Sequence, residues 1–331
     1  MDDPIPLQTA AQLFGIKVDR LRKAASEGRL EVRWVGSQRL VLPSEVERFL
    51  AVQGRASPPK EVPVVGKDNG MARVIAVAVP KGGTGKTTTV LNLGAALAEQ
   101  GQRVLLVDFD PQASLTLSLG YKDKPPEHTV YTAMKYFLAT YESQIEQAIL
   151  STSAGVDLVP SSVRLNLANE ELTATPQREL VLKKLLAPVV SRYDTILIDT
   201  LPYLGILVVN ALVAAQEVLI PVQATFLATE SVTLMLQQIH SMRRSGLNPD
   251  LQICGILLTQ VKPRTVLNRQ FVDLTRQEFG THVPVFETVI TETNQFAESQ
   301  AMEQTILQYA PKRGGAMAYR ALAEEVRNGA R

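Results

Sequence analysis

Residues 81 to 88 read Lys81-Gly82-Gly83-Thr84-Gly85-Lys86-Thr87-Thr88. Closely spaced glycines allow successive backbone N–H groups to close around phosphate oxygens, and the start of a following helix adds its positive end. Lys86 would reach the outer phosphates, and the Thr87 hydroxyl would sit on Mg²⁺. Two further strings end apolar runs in carboxylates. VLLVDFDPQAS carries Asp108 and Asp110, and TILIDTLP carries Asp199. An acid at a strand end can face Mg²⁺ through its water shell, although the same position also suits a helix cap. Beside the glycine loop the metal reading is preferred. The chemistry implied is the binding of a nucleotide's phosphates with Mg²⁺.

This chemistry needs a strand before the loop and a helix after it. Arg73–Val79 (RVIAVAV) supplies the first, and Thr87–Gln100 (TTTVLNLGAALAEQ) the second. Further β-branched runs at Val104–Asp108, Val156–Val159, Asp194–Asp199, Val218–Val222 and Ile253–Thr259 alternate with helical patterns. Continuous apolar strands separated by helices predict an α/β fold with a mostly parallel sheet covered on both faces.

The chain has 331 residues, 45% hydrophobic and 20% charged, which suits one large domain and a small one and argues against wholesale disorder. Its net charge of +1 excludes nucleic-acid binding by bulk charge, so any such binding needs a local basic patch. The single cysteine, Cys254, excludes an internal disulfide and a four-thiolate metal site within one chain. The acidic first residues do not read as a signal peptide. The longest charge-free apolar stretch, Thr200 to Gln216, is broken by Pro202 and Asn210 and reads as core, not as a membrane span.

Residues 51 to 70 hold three prolines and three glycines and read as a linker. The expected division is therefore a front module over 1–50 and a phosphate-binding domain over 71–331. In the front module, Leu7, Ala10, Ala11, Leu13 and Phe14 make one apolar helical stripe. Lys17 to Glu27 reads as a second helix, and Arg29 to Leu42 as a hairpin around Gly36-Ser37. Ser44-x-x-Glu47 has capping-box spacing for a short last helix. From Lys17 to Arg39 there are seven basic and three acidic residues, so the positive charge is concentrated there.

The glycine loop has Pro80 where an ordinary phosphate loop has glycine, and it carries Lys81 before the paired glycines. It resembles the deviant Walker A motif, KGGxGK[ST], of the ParA/MinD family of P-loop ATPases. The resemblance continues through Asp108-Phe109-Asp110-Pro111-Gln112, PVQATFLATESV, GILLTQVKPRTVLN and YAPKRGGAMAYRALAEEV, and so spans 71 to about 328. It implies ATP and Mg as cofactors, with Lys81 reaching a partner's phosphates across an ATP-bound homodimer. Lys86 would hold the phosphates, Asp110 would orient the attacking water near the metal, and Thr87 and Asp199 would face the ion. The DPQ and PVQ segments fit the ParA branch. That branch implies a cytoplasmic, nucleoid-associated protein that segregates plasmid or chromosome DNA with a ParB-like centromere-binding partner.

The chain departs from the family in two places. Leu201 replaces the first proline of D-x-P-P. Of the arginines that bind DNA nonspecifically, Arg264 is kept, whereas VITETNQFAES places Glu292 and Gln295 at the other two. A glutamate facing phosphate repels it, so weak DNA binding by the ATPase core is expected, or binding through Lys262, Arg264, Arg269 and Arg276. The front module resembles an excisionase/MerR-type winged helix-turn-helix. That likeness puts Lys17, Arg20, Arg22 and Lys23 at the groove-facing helix and Arg33 and Arg39 on the wing, where they would bind DNA. Such a head would let the protein repress its own operon.

Three other classes share parts of this pattern. A MinD-like positioning ATPase needs a C-terminal membrane helix, but AYRALAEEVRNGAR offers only Ala318, Leu322 and Val326 on one face, so no membrane partner is expected. An electron-transfer ATPase needs cysteine ligands at a dimer axis, and Cys254 sits within an apparent core strand. An ATP-switched transcription regulator without a segregation role stays open.

Overall fold

The computed structural model describes residues 5–7, 17–35, 38–42, 45–46, 49, 71–122, 125–225, 228–281 and 283–329. The chain divides into two compact units, Met1–Gly66 and Lys67–Arg331.

In the first unit, β1 (Ile5–Pro6), β2 (Arg33–Val35) and β3 (Gln38–Val41) form an antiparallel sheet in the order β1-β3-β2, with Trp34 opposite Arg39. Helix α1 (Val18–Ser26) buries Leu21 and Ala24. With Leu7, Leu30, Val41, Val46 and Phe49 they form a small core. The expected second helix and hairpin are thus present. The stripe residues Ala10 to Phe14, the Gly36-Ser37 turn, Ser44 and Glu47 of the capping box, and the 51–70 linker lie outside the described residues.

The second unit is built on an eight-stranded sheet. Its strands are β4 (Arg73–Val77), β5 (Val104–Phe109), β6 (Leu150–Ser151), β7 (Asp157–Val159), β8 (Thr195–Thr200), β9 (Glu217–Gln223), β10 (Gln252–Val261) and β11 (Val285–Thr291). They run in the order β11-β10-β9-β4-β8-β5-β7-β6, and all pairs are parallel except β6 on β7. The sheet is α/β and mostly parallel, as expected. The sequence reading missed the two edges. β11 buries Phe286 and Ile290 but leaves Glu287 exposed and the rest half-buried, and β6 has only two residues, so neither shows the continuous apolar run of an interior strand.

Strand periodicity sorts the core into two layers. Val74, Ala76, Leu105, Val107, Ile196, Ile198, Val218 and Ile220 face one layer. Ile75, Val77, Leu106, Leu197 and Leu219 face the other. Helices α2 (Lys86–Glu99) and α12 (Gly314–Asn328) cover the second layer, with Leu93, Leu97, Tyr319 and Leu322 buried in it. The first layer is covered by α4 (Val130–Thr140), α6 (Val181–Leu186), α7 (Ile206–Ala214) and α8 (Ala228–Arg244). The remaining helices are α3 (Ser114–Ser118), α5 (Ala168–Thr173), α9 (Val266–Phe279), α10 (Gln295–Ala301) and α11 (Ile306–Tyr309).

Burial of both sheet faces explains why the interior strands lack polar alternation. The chain passes from central β4 through α2 to β5 on one side, while β9 lies on the other side of β4. Such a reversal leaves a crevice beyond the strands' C-terminal ends, where α/β sheets bind ligands.

Candidate functional site

The glycine loop occupies that crevice. It leaves β4, and its last glycine, Gly85, directly precedes α2. Gly83 and Gly85 have φ of 71° and 83°, in the left-handed region that side chains oppose, so this path requires glycine. The cleft beside the loop holds about 520 Å³ and is lined by Gly82 to Thr88, Asp110, Ser114, Leu117, Ser118, Pro202, Gln260 and Gln300. Thr84 and Lys86 are buried in the loop. Lys86 Nζ donates to the Lys81 carbonyl at 2.9 Å. Burial lowers the Lys86 pKa, while Asp199 and Asp110 act against that shift. A lysine held in this state gains a counter-charge when an anion enters. Lys81 itself is half-buried and does not line the cleft.

The three acids occupy different settings. Asp108 and Asp199 face each other across β5 and β8, and both are fully buried. Asp108 accepts from the Thr116 backbone N–H at 2.8 Å and from its hydroxyl at 2.6 Å. Thr116 Oγ1 in turn accepts from the Ser161 N–H at 2.9 Å. Asp108 is therefore occupied in tying α3 to the sheet, and burial pushes its pKa up to about 6. Asp110 accepts from the Gln112 N–H at 2.9 Å and lines the cleft.

Asp199 differs from both, because neither of its buried oxygens makes a close hydrogen bond, and the Thr87 hydroxyl is only loosely directed at it. Burial first, and then the neighbouring Asp108, drives its pKa well above the usual carboxylate range; Thr87 and Lys86 oppose the rise. A buried carboxylate without donors is costly unless a cation faces it. Among the described residues no group of three or more His, Cys, Asp or Glu could hold a metal ion alone. The donor set instead suits Mg²⁺, which keeps several waters and shares its shell between one or two protein oxygens and substrate phosphates. Thr87 and Asp199 fit that role, with Asp110 at the edge of the same cleft.

Of the residues expected from sequence, Gly82 to Thr88 and Asp110 line one cleft, Asp199 lies beside it through Lys86 and Thr87, and Lys81 stays outside it. Sequence reasoning missed Ser114, Leu117, Ser118, Gln260 and Gln300 as lining residues. Ser114 and Gln260 fall in segments already singled out, but no local signal aims any of the five at the loop, and folding brings them there.

The expected DNA contacts lie elsewhere. Arg264 is exposed ahead of α9. Lys262 is paired with Glu292 at 2.8 Å, and Arg276 with Glu287 at 3.3 Å. In the first unit, exposed Lys17 precedes α1, and Arg20 is half-buried on it. Arg22 pairs with Asp19 at 3.1 Å, and Lys23 with Glu27 at 3.9 Å. These exposed pairs are too weak to withhold the arginine or lysine from phosphate. Arg33 and Arg39 lie on the hairpin strands, but their side chains lie outside the described residues.

The chain matches the AAA domain family over residues 72–253. It is 39% identical to the sporulation initiation inhibitor protein Soj of Bacillus subtilis over 256 residues, covering 77% of this chain and 98% of that protein. It is 41% identical to the chromosome-partitioning ATPase Soj of Thermus thermophilus over 254 residues, covering 77% and 95%. Among solved structures, cobyrinic acid a,c-diamide synthase from Mycobacterium smegmatis, with bound ADP and magnesium, aligns with a TM-score of 0.67. That match has 36% identity and covers 77% and 94% of the two chains. The glycine loop, the paired strand-end acids and these likenesses cover the same part of the molecule. The chain belongs to the ParA/MinD family of P-loop ATPases.

Proposed function

We propose that this protein binds ATP with Mg²⁺, forms an ATP-dependent sandwich homodimer and hydrolyses ATP to ADP and phosphate. On this reading it segregates plasmid or chromosome DNA with a ParB-like partner. The observation that carries it is Asp199, whose two buried oxygens make no close hydrogen bond although Lys86 and Thr87 lie beside them. Lys86 and the loop N–H groups hold the phosphates, and Thr87 and Asp199 hold the ion. Bound Mg²⁺ supplies charge neutralisation at the transferred phosphate. Asp110 orients the attacking water, and Lys81 is free of the cleft to act on a partner's nucleotide.

Exposed apolar side chains support self-association at this edge. Leu117 follows β5, Val163 and Leu167 follow β7, and Tyr203 and Leu204 follow β8. Their exposures run from 40% to 70%. Leu117 lines the cleft itself, and the others lie in the connections that leave the C-terminal ends of β7 and β8.

DNA binding is assigned chiefly to the winged helix-turn-helix head, through Lys17, Arg20, Arg22, Lys23, Arg33 and Arg39. Glu292 supports that choice, because it sets a negative charge against Lys262, close in sequence to Arg264, where it repels phosphate. Two heads joined by ATP-driven dimerisation would bind more tightly than one through raised effective concentration. The expected location is the nucleoid. Among the described residues, no helix is long and apolar enough to cross a membrane.

Sedimentation of the full chain with ADP, ATP, and ATP plus DNA tests these assignments together. ATP should give a dimer that ADP does not, and DNA should join that dimer. A monomer under all three conditions would sink the proposal. A purely regulatory role, favoured by the concentration of charge in the head, predicts binding to DNA upstream of its own gene and no partner-stimulated turnover.

A further inference from the structure

A phosphate loop turns its N–H groups inward, so its carbonyls turn outward and need donors of their own. The trans peptide is planar, which ties the Gly83 carbonyl to the Thr84 N–H and the Thr84 carbonyl to the Gly85 N–H. Whatever fixes those carbonyls therefore also aims the N–H groups.

The end of β10 does this. Thr259 Oγ1 donates to the Thr84 carbonyl at 2.8 Å, and Gln260 Nε2 donates to the Gly83 carbonyl. Gln260 receives support from behind, since Gln223 Nε2 on β9 donates to its side-chain oxygen at 3.0 Å. Gln260 also has φ of 52°, a strained conformation for a residue with a side chain. Such strain persists where surrounding contacts over-determine it, and here they aim the amide at the loop.

The same strand end leads to a charged surface. The Val261 carbonyl accepts from the Glu292 N–H at 3.0 Å, and Glu292 pairs with Lys262. The Lys262 N–H donates to Asn268 Oδ1 at 2.7 Å, and Asn268 Nδ2 donates to the Ala224 carbonyl at 2.7 Å. The Ala224 N–H returns to the Thr259 carbonyl at 3.3 Å. A closed circuit of hydrogen bonds thus joins the loop's outer side to the start of α9.

We propose that Thr259 and Gln260 are positioning residues of the phosphate loop, and that this brace carries the loop's occupancy to the 262–269 surface. The inference rests on the nucleotide reading above. Filling the loop fixes the Thr84 and Gly85 N–H groups, which fixes the two carbonyls and holds the strand end. The strand end in turn sets the backbone of Val261 and Lys262.

Amide hydrogen exchange of the full chain, with and without ATPγS and Mg²⁺, tests this. In the unaltered protein both 82–88 and 262–270 should exchange more slowly with nucleotide. In Gln260→Ala and Thr259→Val the loop should still be protected, with affinity about two- to tenfold weaker for each hydrogen bond lost. The response at 262–270 should disappear. Gln223→Ala, which does not touch the loop, should blunt the distant response with less loss of affinity, a pattern that simple destabilisation does not produce. Thr259 is buried, so melting curves must accompany its variant, while Gln260 at the partly exposed strand end keeps the test open. Loop protection in the unaltered protein without change at 262–270 would overturn the proposal. So would variants that keep the distant response. Absence of any loop protection would instead overturn the nucleotide reading, and the brace with it.

Discussion

Replacing Asp199 by asparagine separates what the site costs from what it does. Asp199 is 0% exposed and makes no close hydrogen bond through either oxygen. The fold raises its pKa even though Lys86 and Thr87 pull the other way, so the net effect of its surroundings favours the neutral form. Asparagine has that shape without the charge. For an acid whose folded pKa is raised, both states are neutral below the unfolded pKa, and stability is lost as pH rises through the folded pKa. The asparagine variant escapes that loss. At pH 8 the nucleotide-free variant should be about 1–3 kcal/mol more stable, because a buried charge costs more to leave unpaired than a neutral amide does. At about 2–4 °C per kcal/mol, the melting temperature should rise by roughly 2–12 °C. The gain should shrink as pH falls.

The same substitution should remove the response to nucleotide. A ligand at a hundred times its Kd stabilises by about 2.7 kcal/mol. Mg²⁺ with ATPγS should therefore raise the melting temperature of the unaltered protein and leave the variant nearly unmoved. Scanning fluorimetry from pH 5 to 8, with and without Mg²⁺ and ATPγS, reads both effects. A nucleotide-free variant that melts lower at pH 8, or that responds to Mg²⁺ and nucleotide like the unaltered protein, would refute the assignment of Asp199 as a strained metal ligand.

Lys86→Ala should abolish nucleotide binding in a fluorescent-ATP titration, whereas Lys81→Ala should bind normally and lose the ATP-dependent dimer in sedimentation. Asp110→Ala should still dimerise, with phosphate release slowed about a hundredfold or more, because only the orientation of water is removed. Asp108, raised from 3.8 to about 6, adds its own pH dependence. Without nucleotide, the protein should lose about 3 kcal/mol as pH rises from about 4 through about 6, at 1.36 kcal/mol per pKa unit, and Asp108→Asn should flatten that slope in thermal melts. Gly255→Ala would place a Cβ 2.6 Å from the Phe286 ring. Overpacking there should cost about 1–3 kcal/mol by urea melting, with no change in nucleotide affinity if the protein is kept folded.

The cleft's chemistry was legible from sequence because it is carried by contiguous residues. A glycine loop needs Gly83 and Gly85 at fixed spacing for its backbone path, and no other residue meets φ near 71° and 83° without strain. The interior strands were legible for a related reason. Burial on both faces forces unbroken runs such as Val104–Phe109, and the whole doubly covered sheet follows from six of them. The edges escaped because β11 buries one face incompletely and β6 is two residues long.

Other features depend on residues far apart in the chain. Sequence treats Asp108 and Asp110 as a pair, but the fold gives the first to Thr116 and Ser161 and only the second to the cleft. The repulsion between Asp108 and Asp199 exists because β5 and β8 are neighbours in register, 91 residues apart along the chain. Gln260 lies within the GILLTQVKPRTVLN segment, but nothing local marks it for the loop; its place there follows from where β10 ends and from the amide of Gln223 behind it. Local sequence determined the backbone that can hold a phosphate. Tertiary packing decided which carboxylate is left without donors and which side chains brace the loop, because hydrogen-bond partners and desolvation are set by neighbours in space.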